Sequence, residues 1–246
     1  MKKFAIAALA ALILPTPAFA DVELIKNGSF EVNKVADGDK VLIHNAGLTD
    51  WSFDPRPGST PNSTRNYTWV ASPGTADKAT SGSFGVYPGF PINSPDGGDF
   101  IFADGDTNYN GALYQTVSGL TVGQKYTLNF WQAAGQQDGK TGPTTEMWKV
   151  MFGNDVQYST KFLLPEGGHA DWQQQSMTFV ASQTSQMLSF LAEGTPNGHP
   201  PISMLDGVSL KAAVGVPEPG TWAMMIMGFG AVAGVMRSRP RKAVRA

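Results

Sequence analysis

The chain has 246 residues, with 18 Lys and Arg against 20 Asp and Glu and no Cys, which excludes disulfide frameworks, thiolate metal sites and cysteine nucleophiles. The charge is unevenly spread: residues 1–20 hold Lys2 and Lys3, residues 21–216 hold 11 basic and 19 acidic side chains (net −8), and residues 217–246 hold five basic and one acidic (net +4). A body of that sign offers no phosphate-neutralising surface, so nucleic acid is excluded as a partner, and 41% hydrophobic with 15% charged residues suits one globular core.

Lys2 and Lys3, the apolar run from Phe4 to Leu14 and the small-x-small end Ala18-Phe19-Ala20 form a secretory pattern. It predicts a signal peptide over 1–20, cleavage after Ala20, and engagement of the secretion machinery and signal peptidase.

Residues 54–111 are crowded with Pro, Gly, Ser, Asn and Asp and read mostly as loops, yet they hold Tyr67, Trp69, Phe84, Tyr87, Phe90, Phe100, Phe102 and Tyr109. Rings in loops on a rigid scaffold suit binding; the alternative is that they cap the core.

Beyond residue 111 the pattern is alternation. Tyr126, Leu128 and Phe130 alternate with Thr127, Asn129 and Trp131, and similar runs cover 112–118, 147–152, 174–181, 186–192 and 202–210, with turn chemistry at Gly119-Leu120-Thr121-Val122-Gly123 and Pro165-Glu166-Gly167-Gly168. Short strands at this spacing, without a convincing amphipathic helix, predict a single all-β domain over 21–215 of sandwich type.

At the C-terminal end, Pro217-Glu218-Pro219 marks a stiff linker, since neither proline suits a helix interior. Trp222 to Met236 is free of charge, and Arg237, Arg239, Arg241 and Lys242 follow. This predicts a short transmembrane helix over 222–236, roughly 22 Å long, with its basic end kept cytoplasmic.

Pro217, Glu218, Pro219, Trp222 and Ala223, with the apolar stretch and basic tail, closely resemble the PEP-CTERM sorting signal in its Trp-Ala variant, over residues 216–246. The resemblance implies recognition by exosortase, with those five residues as the sorting motif. It further implies export, an inner-membrane intermediate held by the C-terminal helix, and a destination at the cell surface or in an extracellular exopolysaccharide matrix of the biofilm kind.

The body carries a second resemblance. Leu24-Ile25-Lys26-Asn27-Gly28-Ser29-Phe30-Glu31, Leu113 to Val117, Tyr126 to Phe130, and Leu205-Asp206-Gly207-Val208-Ser209-Leu210 look like parts of galactose-binding-like jelly rolls, a group that includes carbohydrate-binding modules. In that likeness 24–31 and 205–210 are the first and last strands, and a structural calcium ion joins Glu31 to Asp206. Strand-end capping and turn formation is the competing reading of those two carboxylates. Asp104-Gly105-Asp106-Thr107-Asn108 resembles the start of a calcium loop but lacks its later ligands, and reads better as a solvated turn.

Enzyme signatures are missing. His44, His169 and His199 have no zinc-site spacing, Gly82-Ser83-Phe84-Gly85 is not a nucleophile elbow, and no cofactor fingerprint occurs. Sugar binding without catalysis asks only for rings to stack on a pyranose and polar groups for its hydroxyls. Trp51, Tyr67, Trp69, Tyr87 and Tyr109 are the candidate rings, with Arg65, Asn66 and Asn108 as polar partners, while Trp131, Trp148 and Trp172 lie in strands and suit the core. The leading expectation is therefore a non-catalytic exported protein that binds or organises extracellular polysaccharide. Two alternatives stay open: a secreted glycan hydrolase using a pair among Asp96, Asp99, Asp104, Asp106, Glu166 and Asp171, and a purely structural matrix protein.

Overall fold

Strict alternation shapes the long strands: in the run from Thr144 to Phe152 every second side chain, Thr144, Glu146, Trp148, Val150 and Phe152, is buried, and those between are half-buried. A computed structural model describes residues 22–54, 67–79, 84–90, 93–213 and 224–231. The expected signal peptide and the sorting residues Pro217, Glu218, Pro219, Trp222 and Ala223 lie outside these, as do Arg65 and Asn66.

Twelve strands follow in chain order: β1 (Lys40–Leu42), β2 (Ser52–Asp54), β3 (Thr68–Ala71), β4 (Phe100–Asp104), β5 (Ala112–Ser118), β6 (Lys125–Gln136), β7 (Thr144–Phe152), β8 (Asp155–Tyr158), β9 (Phe162–Leu164), β10 (His169–Val180), β11 (Ser185–Thr195) and β12 (Pro201–Ala212). One sheet runs β1-β3-β4-β12-β6-β10 and the other β2-β5-β11-β7-β8, with β9 added on β7. Every described pairing is antiparallel. The result is an all-β, jelly-roll-type sandwich.

The core between the sheets takes Val70, Ile101, Phe130 and Leu205 from the first sheet and Leu113, Trp148, Val150 and Phe190 from the second. A separate apolar cluster covers the opposite face of the first sheet, where Trp69, Phe100, Phe102, Ala133 and Met204 pack under Phe84, Val86 and Phe90. Successive side chains of a strand point to opposite faces, so Trp69 joins the outer cluster while Val70 joins the inner core. This explains why β3 and β4 are buried at every position and why the period-2 signal fails there.

Two sequence expectations are corrected. Leu24–Glu31 is no strand: it runs beside β12 through Leu24 N–H to Leu210 O (3.1 Å) and Val208 N–H to Gly28 O (3.0 Å), and Asn27 and Phe30 take positive φ of 49° and 58°. Gly28 permits that approach, because a Cβ there would collide with the Val208 carbonyl oxygen. Residues 54–111, read as loops, supply β3 and β4 of the first sheet.

Residues 213–246 form a second compact unit. Its described part is a helix over 224–231 with exposed side chains. Among the described residues no helix is long and apolar enough to cross a membrane; the expected span over 222–236 extends beyond them on both sides.

Candidate functional site: an aromatic cleft

A cleft of about 390 Å³ is lined by Tyr67, Trp69, Phe84, Tyr109, Gln137, Lys140, Gly198 and Pro200. Its floor is a stack of rings. Tyr67 lies between Trp69 (centroids 5.4 Å apart, 23° between planes) and Tyr109 (4.6 Å, 9°), and Phe84 meets Tyr67 and Trp69 edge-on. Tyr67 and Tyr109 are half-buried, whereas Trp69 is 1% exposed. Tyr109 has only Tyr67 as a ring neighbour among the described residues.

Backbone geometry sets the stack. Trp69 belongs to β3, Tyr67 immediately precedes it, and Tyr67 O accepts from Asp104 N–H of β4 (2.8 Å). In the run Asp104 to Asn108, expected as a solvated turn, Thr107 and Asn108 are exposed but the carboxylates Asp104 and Asp106 are fully buried. Asp104 Oδ1 accepts from Asp106 N–H (2.8 Å), Asp106 Oδ1 accepts from Asn108 N–H (2.7 Å), and Asp106 Oδ2 takes Gly198 N–H. These Asx-type bonds place Tyr109 on one wall and bind the Gly198–Pro200 wall to it. Burial pushes the Asp104 pKa up to about 8, with the Asp106 charge adding to the rise.

Lys40 supports the floor from below. Its Nζ donates to the carbonyls of Thr75 (3.1 Å), Lys78 (3.1 Å) and Phe84 (2.7 Å) and lies 4.1 Å from the centre of the Phe102 ring. Burial pulls its pKa down to about 7 against the opposing pull of Asp77. The last wall is the turn after β6, where Asp138 N–H bonds Gly85 O (2.9 Å), Gln137 N–H bonds Pro200 O (3.3 Å) and the Tyr87 hydroxyl donates to Lys140 O (2.7 Å).

The expected rings therefore divide. Tyr67, Trp69 and Tyr109 meet in one cleft, and Tyr87 braces its wall through Lys140. Trp51 stands apart in the inner core, 7% exposed, packed on Phe30 and Phe190, with its Nε1 donating to Asn27 O (2.9 Å). Trp148 is in the inner core, and Trp172 packs beside Phe90 and Phe100 on the outer cluster. Phe84, named in the sequence only as a loop aromatic, and Gln137, Lys140, Gly198 and Pro200 complete the lining. Asp138-Gly139 is a turn signature, but nothing local links that turn to Tyr109, 28 residues before Gln137, or to Tyr67, 70 residues before it.

The second candidate, Glu31 and Asp206, lies where the 24–31 segment meets β12. Asp206 is fully buried, and its Oδ1 accepts from Gly207 N–H (2.7 Å). Burial pushes its pKa up to about 8; the Ser94 side chain and Gly207 N–H oppose the rise, and the Asp96 and Glu31 charges add to it. Glu31 is exposed, Oε1 accepts from Asp99 N–H (2.8 Å), and burial followed by Asp99 and Asp96 holds its carboxyl above the usual range. Gly98 (φ 66°) leaves room for that carboxylate, which an added Cβ would strike. Hard oxygen donors, two carboxylates among them, fit calcium in kind. Among the described residues, however, no three His, Cys, Asp or Glu side chains converge to hold a metal, so backbone carbonyls and water would have to complete the shell.

Residues 215–242 match the family model for the PEP-CTERM protein-sorting motif. No curated protein matches the chain. Among solved structures, the chain is similar to TmCBM61 in complex with β-1,4-galactotriose, at 15% identity over 78% of this chain and 99% of that one, with a TM-score of 0.44. It is also similar to the CBM22-1 xylan-binding domain of Xyn10C from Paenibacillus barcinonensis (13% identity, 81% and 99% covered, TM-score 0.40). A third is the K3 cleaved adhesin domain of Lys-gingipain from Porphyromonas gingivalis W83 (15%, 78% and 100%, 0.43).

Proposed function

We propose that this chain is an exported, non-catalytic surface or matrix protein, sorted by an exosortase, which binds extracellular polysaccharide in the aromatic cleft. The observation that carries the reading is the Trp69, Tyr67 and Tyr109 stack lining an open cleft, in a chain that ends in a PEP-CTERM sorting motif. Apolar ring surface with a few polar groups at its rim is what a pyranose needs. No carboxylate is among the cleft's described lining residues, which favours binding over a two-carboxylate hydrolase.

In this reading the signal peptide directs export and the C-terminal helix holds an inner-membrane intermediate. Exosortase then releases the body to the cell surface or beyond. Calcium, bound by Glu31 and Asp206 with backbone oxygens, would neutralise the acidic join between the 24–31 segment and β12.

Fractionation of cells producing the full chain, or one lacking 217–246, tests the sorting half. The full chain should reach the surface or medium in a processed form, while the truncated chain should keep the mass left by signal peptidase and lose surface attachment. Identical location and identical processing of the two would overturn it.

A further inference from the structure

The charge lining the cleft is of one sign among the described residues. Lys140 is the only charged side chain on it among the described residues, and its ammonium has no ion-pair partner there. Nearby carboxylates are committed elsewhere or off the lining: Asp106 accepts from Asn108 and Gly198 N–H, Glu166 accepts from Gly142 N–H (2.9 Å), and Asp138 is exposed and not part of the lining. The buried Trp69 Nε1–H also has no acceptor. A lysine ammonium donates only, so Lys140 brings to the cleft a positive charge that no anion among the described lining residues matches. The backbone of Lys140 is held in place, since its carbonyl accepts from Tyr87 and its turn is bonded to Gly85 and Pro200.

Gln137 and the hydroxyls of Tyr67 and Tyr109 both give and accept, as the hydroxyls of a neutral sugar do. The unpaired cation beside them is matched by a unit that also carries an anion. We propose that the cleft selects an acidic sugar, bearing a carboxylate or a sulfate, with its anion on Lys140 and its ring on the tyrosine stack. This rests on the glycan-binding reading above and narrows its substrate class. The net −8 of residues 21–216 does not forbid it, because repulsion between exposed charges is screened beyond about 8 Å at physiological salt, whereas a contact pair in a cleft is screened less.

The test is calorimetric titration of the full chain with oligogalacturonides and oligoglucuronides, each paired with its neutral methyl ester, and with sulfated and unsulfated galactan oligosaccharides. A charge-assisted contact predicts that an acidic form binds about tenfold or more tightly than its neutral partner, with the advantage shrinking as salt rises. Lys140→Gln should collapse the difference, and Lys140→Arg should restore it. Preference for the carboxylate or the sulfate series identifies the anion. Binding of neutral and acidic forms alike, or an acid preference that survives Lys140→Gln, refutes the inference and leaves the glycan reading standing; no binding of any sugar refutes both.

Discussion

Tyr67 and Tyr109 meet twice: their rings stack at 4.6 Å and 9°, and Tyr67 N–H donates to Tyr109 O at 3.0 Å. The backbone bond holds the two Cα positions together whatever the side chains are, so ring and scaffold can be separated by mutation. Tyr109→Ala should cost stability of about 0.5–1.5 kcal/mol for the lost ring pair and lower glycan affinity about tenfold, near 1.4 kcal/mol. Tyr109→Phe should keep most of both. Titration and thermal unfolding check this; a Phe variant as weak as the Ala variant would assign the contact to the hydroxyl instead of the ring.

Lys40 ties three carbonyls of the 75–84 segment to the floor of the cleft. Lys40→Met keeps much of the aliphatic volume but leaves those acceptors without their donor. A loss on the order of 3 kcal/mol is expected from buried unsatisfied groups. Hydrogen exchange should rise in residues 75–86 more than in β10 or β12, and uniform exchange across the body would contradict the clamp.

Burial pushes the pKa of Glu146 up to about 8 against the opposing effect of the neighbouring Thr144 side chain. Asp104 is raised to about 8 in the same way. Carboxyls of the unfolded chain titrate near ~4, so the folded state retains protons that the unfolded state has lost. Their contribution is complete below about pH 4 and declines as pH rises toward the folded-state value. Lys40, lowered to about 7, acts oppositely: its contribution is present above its unfolded value of 10.5 and is lost as pH falls toward 7. In calcium-free buffer the melting temperature should therefore be lower at pH 8 than at pH 5. Glu146→Gln should raise the melting temperature at pH 8, through a gain in stability on the order of 1 kcal/mol, and change it little at pH 4. An equal shift at both values would show that ionisation is not the cause.

Calcium should stabilise the full chain by joining Asp206 to Glu31. At a free concentration a hundred times the dissociation constant, the gain would be about 2.7 kcal/mol. It should grow from pH 5 to pH 8 as protons cease to compete for Asp206, and vanish in Asp206→Asn. A melting temperature unmoved by calcium or by chelator at pH 8 would leave the two carboxylates as capping groups only.

Legibility in the sequence followed exposure to two different environments. Strand β5, Ala112–Ser118, has one face inward and one toward solvent, and its predicted bounds coincide with the observed ones. In β7, β11 and β12 the alternating centres were read correctly, and only the ends run further. β3 and β4 were hidden because Trp69 and Phe102 face a second apolar cluster while Val70 and Ile101 face the inner core, which leaves no polar side to alternate. Asn27-Gly28-Ser29-Phe30-Glu31 looked like a strand from its likeness to jelly rolls, yet positive φ at Asn27 and Phe30 turns it into a cap on β12. At the cleft, aromatic composition pointed to Tyr67, Trp69 and Tyr109, but Trp51 had the same composition and a different fate. Only tertiary register places Lys140 and Pro200 opposite the stack.

The central claim is that the tyrosine stack holds extracellular polysaccharide. It is tested most directly by retention of the full chain on exopolysaccharide from the producing cells, wild type beside a Tyr67→Ala/Tyr109→Ala double variant whose circular dichroism is unchanged. The account predicts that the wild type is retained and the double variant washes through. Equal retention of the two, or none of either, would contradict it.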